Sequence, residues 1–424
     1  METRFKLLIF GLLYLAPLML HACKTDDRPT IWVYTDMSDP RDTRQGGHPQ
    51  NDPDDITTLA SLLLYANEFN IESIVVGSNT RAGLKDPMPF VEDVFLDAYY
   101  HDVKYLNQEL GGYPEKINIQ SSSLRGESTR FDPNKDYTDL TGLETVRQLV
   151  EAAGRKKIYV LNWGPLTESA MAVKHCLDTE NDKALRNMFF ISHWTKSSVS
   201  QGTREQPYNV ANCNDDRPAC DFMHEVAYSN KKVRFIEIGC IGQTGLVNGS
   251  GGYNHYEAFE NSRLGQIFLR SKFYFGKPDY SDGATHFILG GSFGLTKDDY
   301  PHDGALSIEL EQELVEKSRA IAHDIIDELL ARSNVAAHAN NPFSKEKMAS
   351  YFTYVYTRRP GSYGAHIPYD DAVLKLFNSQ NEEIKAINLD FGNHSLDLSG
   401  LEPDDYNVIV SIVGIELEFQ LTIN

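Results

Sequence analysis

The chain lacks most of the features that would place it in a class at once. It has five cysteines in 424 residues, and none falls in a Cys-x-x-Cys or Cys/His spacing, so a zinc site built on thiolates is set aside. Basic residues are short: 40 Lys and Arg against 60 Asp and Glu leave a formal net charge of −20. That balance argues against binding nucleic acid or an anionic membrane through a basic face, and it fits a protein that handles neutral ligands or cations. The apolar run over residues 7–20 is too short for a comfortable transmembrane span. No internal repeat or low-complexity tract is present.

What is there begins with an export signal. Arg4 and Lys6 precede that apolar run, and Leu20-His21-Ala22-Cys23 follows it. A small residue before a cysteine at this distance resembles a bacterial lipoprotein signal, with residues 1–22 removed and Cys23 lipidated, although His21 departs from the usual aliphatic residue. Lys24-Thr25-Asp26-Asp27 resembles the surface-export tags of Bacteroidetes lipoproteins. The expectation is an exported protein, lipid-anchored to the outer membrane and exposed on the cell surface. Of the remaining cysteines, Cys213 and Cys220 can pair in an oxidising compartment, which the sequence leaves undecided.

Strand and helix signals alternate through most of the length, which predicts an α/β fold, a mainly parallel sheet flanked by helices. Residues 30–34, 71–77, 157–162, 188–192 and 233–238 read as strands, rich in branched and aromatic residues. Residues 56–69, 143–153 and 308–331 carry apolar residues at helical spacing. The tail reads differently. Residues 372–377, 384–389, 395–398, 406–413 and 416–423 are short strands separated by turn residues such as Asn378-Ser379-Gln380-Asn381, which predicts a small antiparallel, sandwich-like β-domain over residues 366–424. The main domain is set at 29–335, and the Pro-, Gly- and Tyr-containing stretch within 336–365 reads as a linker or packed loop.

The chemistry gathers where the first strand ends. Asp36 follows it, and Asp52-Pro53-Asp54-Asp55 opens the next helix. Carboxylates at the C-terminal end of a strand lie where an open α/β sheet places its ligand, and their oxygens suit calcium or magnesium. The plain alternative is that Asp54 or Asp55 caps the helix and complements its dipole. Three further segments add to the cluster: the turn Asn162-Trp163-Gly164-Pro165-Leu166-Thr167, the amide-rich run Asn209-Val210-Ala211-Asn212-Cys213-Asn214, and Ser281-Asp282-Gly283 at the head of another apolar element. Trp163 and Trp194 can stack on a base or a sugar, or serve as core.

Thr35-Asp36, Asp52-Pro53-Asp54-Asp55, the segment over residues 62–72 and Gly164-Pro165-Leu166-Thr167 resemble the inosine-uridine preferring nucleoside hydrolases. They are closer to the nucleoside-hydrolase-like relatives described as cellulose-binding. The resemblance spans roughly residues 29–300 and implies a calcium-dependent hydrolase of N-glycosidic bonds in a ribonucleoside or related glycoside. It implies that Asp36, Asp55, the carbonyl of Thr167 and Asp282 hold Ca2+. Asp54 would bind a ribose hydroxyl, Asp36 or its neighbour would take the proton of the attacking water, and Asn79 and Asn212 would contact the sugar. This chain departs from the family by inserting residues 37–51, with Asp39, Asp42 and Gly46-Gly47-His48-Pro49, so Asp36 and Asp52 both qualify for the middle aspartate. Ser281 stands where a histidine often precedes the last aspartate, leaving His193, His286 or His302 to protonate the leaving group. A second reading, of another class, is a non-catalytic surface lipoprotein that binds a polysaccharide.

Overall fold

The structure, a computed structural model, describes residues 26–42, 53–126, 129–359 and 361–423. The signal segment 1–22, Cys23, His48 and Asp52 lie outside the described residues. A six-stranded sheet forms the centre: β1 (Thr30–Thr35), β2 (Asn70–Val76), β3 (Ile119–Ser121), β4 (Ile158–Asn162), β5 (Met188–Ser192) and β6 (Arg234–Glu237), in the order β3-β2-β1-β4-β5-β6 with every pairing parallel.

Strands buried on both faces read as continuous apolar runs, and alternate side chains feed opposite layers. In β1, Ile31 and Val33 enter one core while Trp32 and Tyr34 enter the other; β4 divides the same way, Tyr159 and Leu161 against Ile158 and Val160. The first core is closed by the helices Asp54–Leu64, Arg263–Arg270 and Ile308–Ala336, and the second by Glu144–Ala153, Thr167–Asp178 and Arg217–Ser229. The chain winds outward from β1 through β2 to β3, then crosses to the other side of β1 to begin β4. That reversal opens a crevice beyond the C-terminal ends of β1 and β4, the place where such sheets bind ligands. Among the described residues no helix is long and apolar enough to cross a membrane.

A two-residue hairpin, β7 (Phe273–Tyr274) and β8 (Lys277–Pro278), follows the helix Arg263–Arg270. The C-terminal part holds two small antiparallel sheets. One has the order β13-β10-β9, from β9 (Tyr354–Arg359), β10 (Ser362–Ile367) and β13 (Gly392–Leu396). The other, β12-β11-β14-β15, uses β11 (Ala372–Phe377), β12 (Glu383–Leu389), β14 (Asp404–Ile412) and β15 (Ile415–Ile423). The five tail strands expected from sequence are all present. The expected linker is corrected: 336–365 contains the helix Lys345–Phe352, β9 and most of β10, so the β-module starts at Tyr354 and not at residue 366. Tyr354-Val355-Tyr356-Thr357 is itself a strand pattern, obscured in sequence by the Pro-Gly pair that follows it. The core is continuous into this module through residues such as Val355, Ile367 and Leu374.

Candidate functional site

The ends of β1, β4 and β5 each deliver side chains into one cleft of about 430 Å³. At the end of β1, Thr35 Oγ1 donates to Asp55 Oδ2 at 2.6 Å and accepts from the Met37 backbone N–H at 3.1 Å, which fixes the strand exit against the next helix. Pro53 is the N-cap of that helix and gives no side-chain cap, so Asp54 and Asp55 sit inside the first turn, where their charge complements the dipole. Both also line the cleft, as do Asp36 and Asp282. Ser281 Oγ donates to Asp54 Oδ2 at 3.2 Å, tying the Asp282 turn, more than two hundred residues away, to this helix.

Carboxylate oxygens of Asp54, Asp55 and Asp282 lie within 4.8 Å of one another and form a group able to hold a metal ion. Asp36 adjoins it. Burial, then the charge of Asp55, pushes the Asp36 carboxyl well above its ordinary range, against a smaller opposing pull from Arg81. Burial, then Asp55 and Asp54, does the same to Asp282. Buried carboxylates this close cannot all stay ionised without a counter-charge. Part of that charge is built in: Lys272 Nζ stands 3.4 Å from Asp54 Oδ2 and 3.4 Å from Asp279 Oδ2.

Two glycines allow this crowding. A Cβ on Gly164 would stand 2.6 Å from the Asp36 carboxylate, and one on Gly242 would stand 2.0 Å from the Ser281 carbonyl oxygen and 2.8 Å from His193. The Trp163 indole N–H donates to Thr285 Oγ1 at 2.8 Å, and the Asn212 amide donates to the carbonyls of Trp163 at 3.1 Å and His193 at 2.9 Å, bridging the ends of β4 and β5. The Cys213–Cys220 disulfide forms beside Asn212 and packs with Trp194, which takes a left-handed backbone, φ 52°, and donates its indole N–H to the Ser200 carbonyl at 3.2 Å. A bulky residue in that conformation is held there by its surroundings.

Of the residues singled out from sequence, the structure gathers Asp36, Asp54, Asp55, Asp282, Trp163, Trp194 and Asn212 around the cleft. Thr167 is not among the residues that line it. The end of β4 presents Trp163 to the cleft, whereas Thr167 lies further on as the first residue of a helix, its hydroxyl donating to Asp216 Oδ2 at 2.7 Å. Asn79 is buried and is not among the lining residues; it accepts from the Arg81 backbone N–H at 2.8 Å and its amide donates to the Asp36 carbonyl at 3.5 Å, tying the loop that carries Arg81 to the end of β1. Among the three histidines, His193 lines the cleft, 3.6 Å from Asp282 Oδ1. His286 is buried against Ser61 and Trp163, its pKa lowered by burial to about 3, and His302 packs on Phe189 at 4.9 Å with Nε2 3.2 Å from the Lys297 carbonyl. Sequence reasoning missed further residues that line the cleft: Arg81, Lys272, Asp279 and Tyr274, with Tyr354, Tyr356 and Asn393 from the C-terminal module. The alternating Tyr-Val-Tyr-Thr of β9 was the available signal for part of it.

Residues 47–239 match the family model described as "Cellulose-binding Sde182, nucleoside hydrolase-like domain". The match includes Asp54, Asp55, Trp163 and His193, while Asp36 and Asp282 lie beyond it. A solved structure described as a nucleoside hydrolase-related hypothetical protein from Saccharophagus degradans, associated with carbohydrate metabolism, is similar at 12% identity with a TM-score of 0.48. It covers 94% of this chain and 99% of its own. No curated protein matches the chain.

Proposed function

We propose, for a chain that carries a nucleoside-hydrolase-like domain over residues 47–239, that the cleft hydrolyses a glycosidic bond, the N-glycosidic bond of a ribonucleoside or a related glycoside, with the help of a bound divalent cation. The observation that supports this best is the convergence of Asp36, Asp54, Asp55 and Asp282, from opposite ends of the domain, on the switch point of a parallel sheet.

The donor set fits a hard cation: every charged oxygen is a carboxylate, and the buried group is crowded with like charge that a cation would relieve. Asp55 and Asp282 would hold it, with Asp36 and Asp54 on either side, and calcium is the ion we propose. Bound there, such an ion supplies positive charge that lowers the pKa of water and grips neighbouring sugar hydroxyls. The chain's own residues do the rest. As the bond from the anomeric carbon to the leaving group breaks, its electron pair goes to the leaving group and the sugar becomes oxocarbenium-like, a charge the surrounding carboxylates stabilise. Water adds to the anomeric carbon and its proton passes to Asp36. His193, the one of the three histidines at the cleft, gives a proton to the leaving group. Asp54, held by Ser281 and Lys272, would accept from a sugar hydroxyl. The test is a panel of nucleosides and aryl glycosides with calcium or with chelator. Calcium-dependent release of the leaving group, abolished in Asp282→Asn, supports hydrolysis; metal binding with no turnover of any substrate rejects it.

A second reading, glycan binding without hydrolysis, draws support from the cellulose-binding description of the matched family and from the aromatic wall of the cleft. Retention of the whole chain on insoluble glycans, unaffected by Asp282→Asn, favours it. The segment 366–424 alone lacks β9 and most of β10, so the whole chain is the right object. For location we propose an exported lipoprotein anchored at Cys23. The Cys213–Cys220 disulfide fits an oxidising compartment. Loss of labelled fatty acid from a Cys23→Ala variant tests the anchor, and equal labelling rejects it.

A further inference from the structure

Part of the cleft lining is aromatic, and it continues to the surface. Tyr274, Tyr354 and Tyr356 form it, and Phe275 continues it outward, its ring centroid 4.2 Å from that of Tyr274 and its side chain 76% exposed. Phe275 is costly where it stands. It occupies the two-residue turn of the β7–β8 hairpin at φ 49°, followed by Gly276 at φ 78°, and both central positions of such a turn favour Gly, Asn or Asp. A phenylalanine there bears backbone strain as well as exposed apolar surface, and neither serves the fold.

The inner part of this lining is fixed rather than loose. The Tyr356 ring lies against the backbone of Gly364, where a Cβ would come within 2.7 Å of it. Tyr354 stacks on His366 at 5.1 Å. His366 Nε2 donates to the Arg270 carbonyl at 2.9 Å while its Nδ1 lies 2.9 Å from the Asn393 side-chain amide, so the amide facing the cleft is positioned from both parts of the chain. Phe391 of the C-terminal module packs on Phe273 of the hairpin at 4.3 Å.

We infer that Phe275, Tyr274, Tyr354 and Tyr356, with the amide of Asn393, form a track that binds further pyranose rings of a glycan chain next to the residue held at the carboxylates. This rests on the reading that the cleft takes a glycone. Aromatic faces and tyrosine hydroxyls suit a sugar ring, which offers an apolar C–H face and polar edges. A track that leaves the cleft and ends on an exposed ring outruns a single sugar with one leaving group.

The test is calorimetric binding by the whole protein with calcium present, in a His193→Asn background so that turnover is not the readout. The probes are linear β-1,4-linked tetrasaccharides of glucose, xylose and mannose, the corresponding monosaccharides, and inosine. The variants are Phe275→Asn, which suits the turn and is expected to fold at least as well, and Tyr274→Ala. At least one tetrasaccharide is expected to bind more tightly than its monosaccharide. Each variant should then weaken it by roughly fivefold, the scale of one aromatic contact, and Phe275→Asn, outside the cleft lining, should leave the monosaccharide unchanged. No preference for a tetrasaccharide, equal losses for the monosaccharide in Phe275→Asn, or losses confined to inosine would overturn the inference. Hydrolysis fails separately, by absent turnover in the wild type with tetrasaccharide binding intact.

Discussion

Gly164 and Asp36 meet across the seam between β4 and β1, so closely that a methyl group on the glycine would stand 2.6 Å from the carboxylate carbon and 2.9 Å from Cβ of the aspartate. The aspartate reaches the cleft only because its neighbour has no side chain. Gly164→Ala must therefore rotate Asp36 away. Overpacking of this kind costs about 1–3 kcal/mol of stability, and displacing a group beside a metal site costs roughly tenfold in affinity for the ion. Titration with calcium, set beside a thermal melt, measures both; unchanged calcium affinity would show that Asp36 is not part of the site.

Lys272 supplies internal counter-charge to Asp54 and Asp279. In Lys272→Met the side-chain stem is kept and the charge is lost. The ion-free protein should melt at a lower temperature, and its affinity for calcium should rise by roughly fivefold, the effect of about 1 kcal/mol between partly screened charges. Calorimetric titration checks the sign. Weaker calcium binding in the variant would mean that the lysine organises the carboxylates more than it competes with the ion.

Acid should loosen the C-terminal module. Burial lowers the pKa of His366 to about 4 from an ordinary 6.5. Below pH 6.5 the unfolded chain takes up a proton that the folded chain refuses until about pH 4. The stability contributed by the neutral ring is therefore complete above pH 6.5 and is lost as pH falls toward 4, to a limit of about 3 kcal/mol. Buried Glu168, with its pKa raised chiefly by burial, acts in the opposite direction, so the histidine's part is isolated by comparison with His366→Gln. Between pH 7 and 5 the variant's melting temperature should fall less than that of the wild type; parallel curves would reject the assignment.

How far the sequence could be read depended on where each signal came from. Strands buried on both faces write themselves as apolar runs, so β1, β2, β4, β5 and β6 and the parallel order of events were legible, as were the carboxylates at the first helix start. Short β3, paired over only three residues, carried too little pattern to notice. The Gly-Pro-Leu-Thr turn was legible, but a motif names a turn without saying which of its residues faces the crevice, and it is Trp163 that lines the cleft. The histidines could not be ranked from sequence, since His193 and His286 are both buried and only the fold shows that His193 lines the cleft. The aromatic lining was hidden for a different reason: the alternation of β9 marks a strand, but Tyr274, Tyr356 and Asn393 share one cleft only through contacts between segments far apart in the chain, which no local pattern encodes.

The most direct test is the metal content of the purified protein, wild type against Asp55→Ala, after equilibration with calcium and desalting. The carboxylate group around Asp55 predicts one calcium per chain in the wild type and none in the variant, with both proteins folded by circular dichroism. Equal calcium in the two, or none in either, would contradict a cation site at the heart of this cleft.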